Sequence, residues 1–224
     1  AAATLRIYAD WLRGDVLRLD RSEAYLREVL SAIDARYGSQ LTWNALARDL
    51  SIDHPKTVAD YCGLLERMDA VRIIPALQEH TLRAAPKKAR KLYFADPFIH
   101  HAVRDWLAPE RRDGLDPREI VANEPLVASE IEAAIVVQLA RALPTFYIKA
   151  EGEADAAYLR GRRVWPIEVK WTGQLRPKDL KQVRKYRNAL IAGRVRSQHR
   201  IDDVRVLPAS VVLLRIGRMG SREA

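Results

Sequence analysis

The sequence predicts a mixed α/β chain, of the α+β kind, in two parts: a helical first part closed by a β-hairpin, then a second part ordered helix, three strands, helix, strand (αβββαβ). Three observations carry this. Apolar residues recur at helical spacing through most of residues 5–68. From Thr145 to Trp171 the spacing changes to the strand period of two, interrupted once at Arg160-Gly161-Arg162-Arg163. The 224 residues, 48% hydrophobic and 30% charged with a mean hydropathy of −0.25, suffice for one large or two small cores.

Composition excludes several classes. Cys62 is the single cysteine, so an internal disulfide framework and a cysteine-based zinc site are out, and a reducing, cytoplasmic setting is expected. The longest apolar stretch, Ala133 to Leu143, is broken by Gln138 and Arg141 and falls short of the ~18 residues of a membrane span. The start, Ala1-Ala2-Ala3-Thr4-Leu5-Arg6, lacks a Met and the order of a signal peptide, and reads as a cut end within a longer protein. No glycine-rich loop ending in Gly-Lys-Ser/Thr occurs, so no nucleotide site is expected in these residues.

The net charge is +9, and its distribution says more than its sum. Residues 1–128 carry 19 Lys/Arg against 19 Asp/Glu, whereas residues 129–224 carry 19 against 10. A basic half of this kind fits a polyanion such as DNA, because each neutralised phosphate releases counterions. Plain solubility, or an Arg-rich composition, is the alternative.

Leu5, Tyr8, Trp11 and Leu12 open the first part, and a helix from Ser22 carries Leu26, Val29, Leu30, Ile33 and Tyr37 on one stripe until Gly38. Thr42 caps a short helix holding Trp43, Leu46, Ala47 and Leu50; Pro55 opens the next, with Val58, Tyr61, Leu65 and Met68 inward. Val71 to Ile74 and Lys91 to Phe94 read as strands around a loop with Lys87, Lys88 and Arg90. Three helices followed by a hairpin make a winged helix. Its candidate recognition helix is not basic, with Lys56 and Arg67 against Asp60, Glu66 and Asp69, so only the Lys87–Lys91 wing offers a cationic cluster. DNA contact and a structural or protein-docking role stand side by side. A helix from Pro97 to Leu107 closes this domain (1–108), and a polar linker (109–128) leads to the second (129–224).

In the second domain, Glu132 shares a helical stripe with Ile135, Val136, Leu139 and Leu143 and is expected to face inward, whereas Glu130 lines up with Ala133, Ala134, Val137 and Arg141 on a more peripheral face. An active-site acid and a capping box with Ser129 are both compatible with Glu132. If Gly161-Arg162 is a two-residue turn, facing residues have numbers summing to 323, which sets Asp155 opposite Glu168. Lys170 then joins their face, and Trp165, Ile167, Val169 and Trp171 form the apolar one. Opposed carboxylates repel; a divalent cation relieves this, as does an ion pair with Lys170. A helix from Pro177 to Ala192 is expected to bury Leu180, Val183, Tyr186, Leu190 and Ile191 and to expose Lys178, Lys181, Arg184, Lys185 and Arg187, with Gln182 beside the apolar stripe. Val211 to Leu214 is the last expected strand.

At these residues the sequence resembles the PD-(D/E)XK nuclease superfamily, restriction-endonuclease-like in fold, whose motif is an acid, a spacer and Glu-x-Lys. Here it reads Asp155, then Pro166-Ile167-Glu168-Val169-Lys170, with Glu132 on the preceding helix and Gln182 on the following one. More narrowly, roughly residues 20–215 resemble the C-terminal region of prokaryotic, especially archaeal, AAA+ ATPases that carry a winged helix and a nuclease-like domain of unassigned function. That likeness rests on Lys56 to Tyr61, Tyr93 to Pro97, Gly152 to Asp155 and Pro166 to Lys170, with Ala128 standing where glycine is frequent. The resemblance implies Mg²⁺ or Mn²⁺ held by Asp155, Glu168, the Val169 carbonyl and Glu132, with Lys170 orienting or deprotonating water and Gln182 positioning it. It further implies an ATPase domain on the same parent chain and DNA as partner. Lys178, Lys181, Arg184 and Lys185, the Arg160, Arg162 and Arg163 turn, and Lys87 and Lys88 are the candidate phosphate contacts. A catalytically quiet DNA- or protein-binding module is the alternative.

Overall fold

Side chains that satisfy orphan N–H groups mark the helix starts of the first part. The computed structural model describes residues 2–108, 121–149, 153–172, 174–175, 180 and 183–220. Helix α1 spans Ala2–Arg18, α2 Glu23–Ala35, α3 Trp43–Arg48, α4 Pro55–Arg67 and α5 Pro97–Leu107. Ser22 accepts from Tyr25 N–H at 3.4 Å, Thr42 from Ala45 N–H at 3.1 Å and Asp96 from Phe98 N–H at 2.8 Å, while Pro55 and Pro97 occupy first-turn positions where no N–H is needed. One core joins Leu12 and Val16 of α1, Leu26, Leu30 and Ile33 of α2, Leu46 of α3, Val58 and Leu65 of α4 and Val103 of α5. Each fully buried leucine contributes about 2 kcal/mol of transfer free energy. Strands β1 (Val71–Pro75) and β4 (Arg90–Phe94) pair as a two-stranded sheet, and Leu92 and Phe94 join that core.

Two compact units result: residues 1–73 with 89–126, and residues 74–88 with 127–224. The boundary departs from the expected one, because the hairpin tip belongs to the second unit. There β2 (Leu77–Gln78) pairs with β3 (Arg83–Ala84), Ala76 bridges to Tyr147, and Leu77 packs with Phe146, Ile148, Ala154 and Ala157. The tip is anchored by apolar contacts, and Lys91, expected in the wing cluster, is only 4% exposed. Lys87 and Lys88 are exposed.

The second unit is built on a six-stranded mixed sheet ordered β5-β6-β7-β8-β10-β9, formed by β5 (Thr145–Lys149), β6 (Glu153–Arg160), β7 (Arg163–Lys170), β8 (Leu190–Gly193), β9 (His199–Ile201) and β10 (Val204–Pro208). β5, β6 and β7 form an antiparallel meander; β7–β8 and β8–β10 are parallel. Helix α6 (Glu124–Ala142) precedes the sheet and α7 (Ala209–Gly220) follows it.

Three expectations are corrected. No helix runs to Ala192: a 3₁₀ turn covers Val183–Lys185, and Leu190–Gly193 is a buried parallel strand. Val211 to Leu214 lies inside α7 and is not a strand. α6 begins at Glu124, so part of the expected linker is helical and Ser129 is interior to the helix, which removes its capping box with Glu132.

Candidate functional site

Gly161, at φ 60°, supplies the positive dihedral that a two-residue hairpin turn needs at its first central position. The β6–β7 register follows from it: Arg160 faces Arg163, Tyr158 faces Trp165 and Ala156 faces Ile167. One step further places Asp155 opposite Glu168, on the same side as Lys170.

At that step side chains replace the ladder. Val169 N–H donates to Asp155 Oδ2 at 2.9 Å, and Asp155 N–H donates to Glu168 Oε2 at 3.4 Å. Lys170 Nζ lies 2.7 Å from Glu168 Oε1. The cause is visible on the other neighbour of β6. Phe146 pairs with Ala157 but Ile148 pairs with Ala154, so β6 carries one residue too many, a bulge at Asp155–Ala156 opposite Tyr147. A bulge breaks pairing locally and re-aims the side chain it carries.

Glu168 is 9% exposed. Burial, and after it the Asp155 carboxylate, push its carboxyl up from the ordinary 4.5 to about 7, with Lys170 pulling the other way. Near neutrality the group therefore stands between its protonated and ionised forms, and added positive charge would favour the ionised one. The donors are two hard carboxylates, the kind that suit a cation keeping several of its waters. On that chemistry the residues fit Mg²⁺ or Mn²⁺.

The other expected residues fare differently. Glu132 is half-buried, whereas Glu130, at 7% exposure, is the inward acid of α6, the reverse of the expectation. Among the described residues no three His, Cys, Asp or Glu are placed to hold one metal ion, so Glu132 is not brought together with Asp155 and Glu168. Gln182, Lys178 and Lys181 lie outside the described residues. Arg184 and Lys185 line a cleft with Arg187 and Arg200, where Arg184 is paired with Asp202 and Arg200 donates to the Asp203 carbonyl at 2.9 Å. Arg162 and Arg163 are exposed at the hairpin turn. Arg200 and Arg194 were not singled out by spacing. Arg194 N–H donates to the Lys170 carbonyl at 3.4 Å, and its guanidinium lies 5.9 Å from the Trp171 ring centre. Cys62 is buried, with its thiol pushed up to about 12 by burial, and takes no part. No helix among the described residues is long and apolar enough to cross a membrane.

Residues 3–110 match a family model described as Domain of unknown function (DUF8612), a stretch that ends before the Asp155, Glu168 and Lys170 site. Neither the curated proteins nor the solved structures contain a match to this chain.

Proposed function

We propose that the second unit is a divalent-metal-dependent, nuclease-type module acting on DNA phosphodiesters, within the PD-(D/E)XK arrangement, and that the first unit is a winged helix joined in the parent protein to an AAA+ ATPase. The observation that carries this is the set Asp155, Glu168 and Lys170 on adjacent strands at a bulge, with Glu168 titrating near neutrality. Asp155 and Glu168 would hold Mg²⁺ or Mn²⁺, which supplies a water of lowered pKa and neutralises charge on the phosphate. Lys170, a third exposed on its side chain, orients the attacking water and takes or holds a proton at Nζ. The Arg184, Lys185, Arg187 and Arg200 cleft attracts the strand backbone.

A second reading, a quiet DNA- or protein-binding module, has its own support: the Lys170–Glu168 ion pair already neutralises one carboxylate without a metal. Plasmid nicking with Mg²⁺ or Mn²⁺ separates the two. Wild type should nick, with Asp155→Ala and Lys170→Ala slower by at least about a hundredfold. Equal rates in all three would overturn the catalytic reading.

A further inference from the structure

We propose that the opposite face of the same sheet holds a separate site for a small organic anion, a single-ring group bearing a carboxylate or phosphate. The inference is independent of the nuclease reading, because it uses none of the residues of the carboxylate face. The register puts Tyr158, Trp165, Ile167 and Leu190 on the side of the sheet away from Glu168. With Leu139 of α6 and Ile216 of α7 they line a partly open cavity of about 140 Å³. That is the volume of one aromatic ring.

Three features define the occupant. Tyr158 and Trp165 stack with ring centroids 6.1 Å apart and planes 14° from parallel, giving a flat wall. Arg160, Arg205 and Arg215 all line the cavity, and no carboxylate of the described residues does. Burial pushes the Tyr158 phenol up, and Arg205 and then Arg160 pull part of the way back, as cations near that ring do. Arg215 spends one arm on Gln198 Oε1 at 3.1 Å. Finally, Trp165 Nε1–H is shielded from solvent and meets no acceptor among the described residues. Three arginines and a tryptophan with an unanswered indole N–H, all lining an apolar, ring-sized cavity, are matched by an anionic head on a flat apolar body.

The test is an ¹H–¹⁵N titration of the full chain with benzoate and with phenyl phosphate, benzyl alcohol serving as the uncharged control. The protein has 5 tryptophans, and the Trp165 indole signal is the one missing from Trp165→Phe. Both anions should move it downfield saturably and benzyl alcohol should not, with Arg205→Gln weakening phenyl phosphate at least about tenfold. No saturable shift with either anion, an equal response to benzyl alcohol, or unchanged affinity in Arg205→Gln would overturn the proposal. A shift produced only by a 5′-phosphorylated oligonucleotide would also overturn it and assign the cavity to a strand end.

Discussion

Asp155 and Glu168 lie one register step past the last β6–β7 ladder pair. There Asp155 accepts the Val169 N–H at 2.9 Å and Glu168 accepts the Asp155 N–H at 3.4 Å. The two acids are thereby fixed by each other's strands, so their mutual repulsion is built into the fold rather than avoided by rotation. Such strain is typical of a site arranged for a third charge.

The first consequence is a pH dependence of stability. The folded chain holds the Glu168 proton up to about 7 and an ordinary carboxyl releases it near 4.5, so between these values the folded state binds more protons than the unfolded one. Stability falls as pH rises through that window and levels off above it. Relative to Glu168→Gln, the wild type should lose on the order of 1–3 kcal/mol across the window in urea denaturation. Parallel curves for the two proteins would contradict the assignment.

Asp155→Asn should separate charge from structure. The amide oxygen still accepts the Val169 N–H, but the charge that raises the Glu168 carboxyl is gone. At pH 8 this variant should be more stable than wild type by about 1 kcal/mol in the absence of divalent cations, and its Glu168 should titrate lower. A destabilised Asp155→Asn with unchanged Glu168 titration by carbonyl NMR would refute the coupling.

Legibility in the sequence followed the strength of local signals. The two-residue turn at Gly161-Arg162 and the period of two were enough to place Asp155 opposite Glu168, because hairpin geometry leaves one register. The bulge was not readable: Ala154-Asp155-Ala156-Ala157 has no residue that marks an extra position. Glu130 and Glu132 were exchanged because α6 is apolar nearly all round, with Ile131, Ala133 to Val137 and Leu139, so periodicity does not select a face. Leu180, Val183, Tyr186 and Leu190 mimic a helical stripe, yet Ala189 to Ala192 is a short apolar run ended by Gly193, which also suits a strand buried between two parallel neighbours. Val211 to Leu214 was ambiguous for the same reason, since four consecutive apolar residues fit either state, and Val212 and Ile216 are the buried pair of a helix.

The cationic cleft makes a prediction that the hairpin tip does not. Reversing Lys185, Arg187 and Arg200 to Glu should weaken duplex binding and lower the slope of log affinity against log salt by about one for each phosphate no longer neutralised. Reversing Lys87 and Lys88 should change both little. The opposite ranking, read by fluorescence anisotropy at several salt concentrations, would move the DNA surface to the hairpin tip.

Whether Asp155 and Glu168 together hold a divalent cation is decided by calorimetric titration of Mn²⁺ in two buffers of different ionisation heat. Joint coordination gives a saturable heat that disappears in Glu168→Ala and, near pH 7, carries the release of about half a proton per cation, falling to none well above it. A heat that persists in Glu168→Ala, or wild type with no heat at all, would contradict it.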